Sequence, residues 1–122
     1  MFNKLFAICI LTDNFKESID FYKNKLGLEV NSNEGEFADF KLEGTSLAIF
    51  GKNDAIAMFP EKYMKSGGGI VVAYQVNSLN EEVARLKNVG IKIFEGPKET
   101  AWGQKVAYFN DPDGNILEVS ER

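Results

Sequence analysis

The sequence contains no histidine. That one absence removes the commonest imidazole ligand for zinc, nickel or iron and the usual base partner of a Ser or Cys nucleophile. Cysteine is nearly as scarce. The single thiol, Cys9, excludes an intramolecular disulfide, and its place in the apolar run "LFAICIL" predicts a buried, inert side chain rather than a nucleophile. No run of about 18 uncharged apolar residues occurs. The opening "MFNKLFAICILTDN" is charged too soon for a membrane span and offers no small-residue cleavage site, so the chain is expected to be soluble and cytoplasmic. Massed positive charge is missing as well. The formal net charge is -4 and the lysines are scattered, so neither nucleic acid nor membrane is an expected partner. An acidic surface mildly favours cationic ligands, or serves solubility alone.

What is present suits one globular domain, because 122 residues with 44% hydrophobic composition support a single core and leave no room for a second independent domain. "LFAICIL" has the length of a strand. In "TDNFKESIDFYKNKLG", Phe15, Ile19, Phe21 or Tyr22, and Leu26 recur near helical spacing, with Asp13 available to cap the start and Gly27 to stop it. Three short strands follow in "LEVNSN", "EFADFKLEG" and "TSLAIFG". The same order then returns: strand "IVVAYQV", helix "NSLNEEVARLKNVG", and strands "IKIFEG", "QKVAYFN" and "NILEVSE". "GLEV" at Gly27 matches "GIKI" at Gly90, about half the chain further on, which marks an internal duplication rather than a solenoid. The predicted organisation is a single α+β domain over residues 1–122. Module 1 covers about 4–51, a connector with Pro60 and Gly67 to Gly69 covers 52–68, with room for a short helix near "DAIAMF", and module 2 covers about 69–121. One β-α-β-β-β unit buries only one sheet face, so the two are expected to pack together, or each with a unit of another chain, curling mixed sheets around a groove.

Two such modules, with "SIDFYKNKLGL" in the first and "WGQKVAYFNDPDGNILEV" closing the second, resemble the vicinal oxygen chelate superfamily. This is the group of glyoxalase I, bleomycin resistance proteins, extradiol dioxygenases and fosfomycin resistance enzymes. The resemblance covers nearly the whole chain and implies the glyoxalase/bleomycin resistance fold and a homodimer. In metal-dependent members it also implies four ligands on inner strands. Carried over, those positions fall near Phe6, Ala48 and Val71, none a ligand type, and at Glu118, which is one. One carboxylate holds a transition metal poorly, so a pocket without metal or other cofactor is expected.

Trp102, the only tryptophan, follows "ETA" at a loop-to-strand junction and reads either as a ligand contact or as packing in a core or dimer seam. Glu118 alternates with Leu117 and Val119, which permits it to face a groove or solvent; the resemblance tips it to the groove. Phe37, Phe40, Phe50, Tyr74 and Tyr108 fill the other inner strands, where rings either pack or stack on a planar ligand, and Asp39 adds negative charge beside them or lies on a solvated edge. "DPDGN", Asp111 to Asn115, reads as a turn, and "SGGGI" lacks the Lys-Ser/Thr of a phosphate loop. Three functions compete. One is a metal-independent protein sequestering a small planar or cationic compound, such as an antibiotic. The second is a metal-free lyase or isomerase acting on a small carbonyl metabolite, with Glu118 as general base. The third is a stand-alone module whose ligand the sequence does not name.

Overall fold

The computed structural model describes residues 1–121 as two compact units divided between Ser66 and Gly67. In the first, β1 (Ala7–Thr12) leads through α1 (Phe15–Ile19) and a π-helical turn (Asp20–Lys25) to β2 (Val30–Glu34), β3 (Phe37–Phe40) and β4 (Ser46–Gly51). The second repeats the plan with β5 (Val71–Val76), a helix over Leu79–Asn88, β6 (Glu95–Glu99), β7 (Lys105–Asn110) and β8 (Ile116–Glu121). The sheet orders are β1-β4-β3-β2 and β5-β8-β7-β6. In each sheet the first strand runs parallel to the last and the remaining pairs are antiparallel. These are two mixed four-stranded sheets in an α+β fold, neither closed into a barrel. The stretch 52–68, expected as a connector, carries α2 (Lys52–Ala55) and a 3-10 turn (Glu61–Tyr63). The helix over Leu79–Asn88 is α3.

Period-two alternation sorts each sheet into a covered and an open face. In the first unit Ile10, Ala38, Phe40, Leu47 and Ile49 are buried, and Tyr22 of the π-helical turn, fully buried, stands 6.0 Å from the Phe40 ring. In the second, Leu79, Val83 and Leu86 give α3 its apolar stripe, and Ala107, Phe109, Leu117 and Val119 are the buried positions on one sheet face. Burying each such large side chain stabilises by roughly 1.5–3 kcal/mol. Helices α3 and α1 start on a side-chain cap: Ser78 Oγ accepts from Glu81 N at 3.3 Å, and Asn14 Oδ1 from Glu17 N at 3.1 Å.

Local expectations shift at three points. Asn14, not Asp13, caps α1, because it is Asn14 whose extended backbone stands immediately before the first turn; Asp13 instead pairs with Lys52 at 2.8 Å. Strand β6 begins at Glu95 rather than at Ile91. Ile91 is buried, and the chain joins β7 only where Phe94 N donates to Tyr108 O. Beyond that point the register jumps between Glu95 and Lys98. Gly96, at φ 88°, makes the jump feasible, since a Cβ there would stand 2.6 Å from Val106 O. Cys9 is exposed, not buried, because alternation turns it away from the face that Ile10 and Thr12 share.

Candidate ligand-binding faces

On the open face of the second sheet, the register sets Ala73, Glu118, Tyr108 and Glu95 abreast on four neighbouring strands. Tyr108 donates its hydroxyl to Glu118 Oε1 at 2.8 Å. This contact is the centre of the site. The phenol is held above its ordinary range, first by that hydrogen bond, then by desolvation, and then by the charges of Glu118 and Glu95. It therefore remains a proton donor throughout the physiological range. One carboxylate oxygen is oriented by Tyr108, and no other protein partner of Glu118 is found among the described residues. Ala73, on the far side of Glu118, is exposed and projects only a methyl group. Glu118 and Tyr108 are half-buried, whereas Val106 and Ser120, next along the same face, are buried. The accessible carboxylate thus lies at the edge of a covered stretch of sheet. The Phe94 ring lies 6.3 Å from that of Tyr108 at 33°, and Lys98 Nζ stands 5.9 Å over the Tyr108 ring while pairing with Glu95 at 3.5 Å.

The equivalent row of the first sheet is Cys9, Ala48, Asp39 and Ser32. Phe37 and Phe50 face each other across β3 and β4 at 5.6 Å, edge to face. Asp39 is engaged by its own neighbours, mainly through Oδ1. It accepts from Ser32 N at 2.9 Å, Ser32 Oγ at 2.7 Å and Asn31 Nδ2 at 3.3 Å, and the Ser32 hydroxyl leads the contacts that hold its carboxyl below the usual range. These bonds fasten the irregular step in β2 between Val30 and Ser32. Cys9 has its thiol raised by the burial its neighbours impose, so the thiolate is suppressed although the residue is exposed.

The structure therefore divides the sequence candidates. Glu118 and Tyr108 meet, and Phe37, Phe50 and Asp39 share the open face of the first sheet. Phe40 does not; it is 4% exposed on the helix-covered face against Tyr22, because β3 turns alternate residues inward. Tyr74 lies on the covered face of β5, where burial, and then the charge of Asp111, pushes its pKa far up. Trp102 is 77% exposed on the turn before β7, its indole N–H donating to Gln104 Oε1 at 3.0 Å, so it plugs no core within this chain. "DPDGN" is a turn, with Asp111 Oδ1 accepting from Asp113 N and Asn115 N. Sequence reasoning passed over Phe94, Lys98 and Ala73. Lys98 escapes alternation because the jump at Gly96 breaks the period, Phe94 lies ahead of β6, and Ala73 matters only through its smallness beside Glu118.

Of the carried-over ligand positions, Phe6 precedes β1 and Val71 pairs with Ile116, while the strand register sets Cys9 abreast of Ala48 and Ala73 abreast of Glu118. These four positions offer one thiol, two methyl groups and one carboxylate that already accepts from Tyr108. Among the described residues, no three His, Cys, Asp or Glu side chains gather as a metal-holding group. This donor set does not fit the four-ligand divalent ion of the metal-dependent members.

A duplicated β-α-β-β-β unit, with each last strand parallel to the first, defines the glyoxalase/bleomycin resistance class of vicinal oxygen chelate proteins. The Glyoxalase-like domain model matches residues 5–122, and the chain belongs to that family. It is similar to the uncharacterized protein YraH of Bacillus subtilis, 28% identical over 123 residues that span 95% of this chain and 96% of that one. It is also similar to the mitochondrial methylmalonyl-CoA epimerase of Dictyostelium discoideum, 29% identical over 131 residues that span 98% of this chain and 78% of the epimerase. Among solved structures, a glyoxalase/bleomycin resistance protein/dioxygenase from Nocardioides superposes with a TM-score of 0.83 at 26% identity, covering 99% of this chain and 84% of that one. A lactoylglutathione lyase from Agrobacterium tumefaciens gives 0.77 at 19% identity, covering 97% and 92%, a likeness of fold alone. No helix among the described residues is long and apolar enough to cross a membrane.

Proposed function

We propose that this protein binds a small organic ligand without a metal, and that the ligand is planar or cationic, as some antibiotics are, with Glu118 as its anchor. The observation that carries this reading is the Tyr108–Glu118 hydrogen bond at 2.8 Å. It fixes the rotamer of a half-buried carboxylate and leaves its other oxygen for the charge of a ligand cation. The methyl of Ala73 leaves room on one side, and the tilted rings of Phe94 and Tyr108 supply flat surface on the other. The acidic net charge, -4, favours the same class of ligand. In this reading two chains form the working unit, as the resemblance implies.

The test is calorimetric titration with berberine, a planar quaternary ammonium ion, in buffer containing EDTA, repeated on Glu118→Gln. A carboxylate–cation ion pair at a half-exposed site contributes about 1 kcal/mol, so the variant is expected to bind about fivefold more weakly. Equal affinity in the two proteins would refute the role of Glu118. The second reading, a metal-free lyase or isomerase, draws on the 29% identity to methylmalonyl-CoA epimerase. It places Glu118 as the base that Tyr108 orients, and it predicts solvent-deuterium exchange into a thioester substrate such as methylmalonyl-CoA that Glu118→Gln abolishes.

A further inference from the structure

We infer that Lys98 is a selectivity residue for this face: its ammonium occupies the ring of Tyr108 that a cationic ligand would use, and such a ligand binds by displacing it. The inference rests on the reading of Glu118 and Tyr108 as the ligand anchor and says what that anchor admits. Three observations carry it. Lys98 Nζ stands 5.9 Å from the Tyr108 ring centroid, within the range of a cation–π contact, and is aligned with Val106 on the same face as Tyr108. The ring beneath it donates its hydroxyl to Glu118, which shifts electron density toward the oxygen and the ring and makes the face more attractive to a cation. Lys98 is also held loosely. Its one ion pair among the described residues, with Glu95, is 3.5 Å long, and its side chain is 49% exposed.

Lys98, Tyr108 and Glu118 therefore form a chain of cation, ring and carboxylate that is complete without a ligand. An organic cation entering at Glu118 meets the lysine charge and must move it off the ring. The lysine has solvent and Glu95 to move to, so the displacement is feasible but costs affinity. A small, strongly hydrated cation gains too little from the ring to accomplish it, whereas a large planar cation gains stacking on Phe94 and Tyr108. An organic anion gains from Lys98 and is opposed by Glu118 and Glu95.

The experiment compares wild type, Lys98→Met, Lys98→Arg and Glu118→Gln by fluorescence titration with berberine and with the planar anion 1-anilinonaphthalene-8-sulfonate. Lys98→Met keeps the aliphatic stem and removes the charge. Berberine is expected to bind this variant about three- to fivefold more tightly than wild type, the sulfonate more weakly, and Lys98→Arg is expected to return berberine to the wild-type affinity. Berberine affinity unchanged or weakened in Lys98→Met, with Glu118→Gln still weakening it, overturns the role of Lys98 alone. Unchanged affinity in Glu118→Gln overturns the anchor and this inference with it. Thermal melting of each variant, expected within a few degrees of wild type, guards against misfolding.

Discussion

The two open-face rows, Cys9–Ala48–Asp39–Ser32 and Ala73–Glu118–Tyr108–Glu95, occupy the same strands of two sheets built to one plan. Each row has a carboxylate beside an alanine. In the first sheet it stands on β3 and accepts from a neighbouring serine hydroxyl, its backbone N–H and an asparagine amide. In the second it stands on β8 and accepts from one phenol. Among the described residues, Asp39 accepts four contacts from β2, three of them at Oδ1, whereas Glu118 accepts one, from Tyr108. The duplicated modules thus repeat the same packing on their helix-covered faces and differ on the faces left open, and the proposed function rests on that difference.

The contrast can be broken in several ways, and the largest effect is expected where the sheets are alike. Ile49→Ala and Leu117→Ala remove fully buried side chains from the covered faces of the first and second sheets, and each is expected to cost about 2–5 kcal/mol in urea denaturation. A cost confined to one of them would show that the two cores are not equivalent. The open faces should then separate. Asp39→Asn is expected to leave berberine affinity within about twofold of wild type where Glu118→Gln lowers it about fivefold. Equal losses would make both carboxylates ligand contacts.

The smallest effects are in pH dependence, and their signs are opposite. Asp39 has its carboxyl held below the ordinary value, so its contribution to stability is present above about pH 4 and is lost as pH falls through the folded value. Tyr108 has its phenol held above the ordinary value, so its contribution is present below about pH 10 and is lost as pH rises through the folded value. Melting curves should show wild type and Asp39→Asn converging in acid, and wild type and Tyr108→Phe converging in alkali. The burial of Tyr74 is common to all of these proteins and cancels in the differences.

Much of the fold was legible because burial is periodic. "LFAICIL", "TSLAIF" and "NILEV" announce strands, the helical spacing from Phe15 to Leu26 announces the first helical segment, and the return of the pattern announces the duplication. Legibility failed where a single residue's direction mattered. Cys9 sits in an apolar run yet points away from the core, since a run gives strand length without giving phase. Phe40 and Phe37 both read as inner-strand aromatics, and only the pleat sends one to the core and the other to the open face. The neighbours of Glu118 lay beyond sequence reasoning because Tyr108 and Ala73 reach it across strands, and the jump at Gly96 hid Lys98. Absence was more informative: without histidine, no shift of register can bring an imidazole to any of the carried-over positions.

The measurement that tests the central claim most directly is amide chemical-shift mapping by NMR of the isotope-labelled protein as berberine is added in the presence of EDTA. The account predicts saturable shifts concentrated at Ala73, Tyr108 and Glu118, with Asp39 and its neighbours in β2 and β3 nearly unmoved. Shifts concentrated on β3 and β4 instead, or shifts that appear only after a divalent metal replaces the chelator, would contradict it.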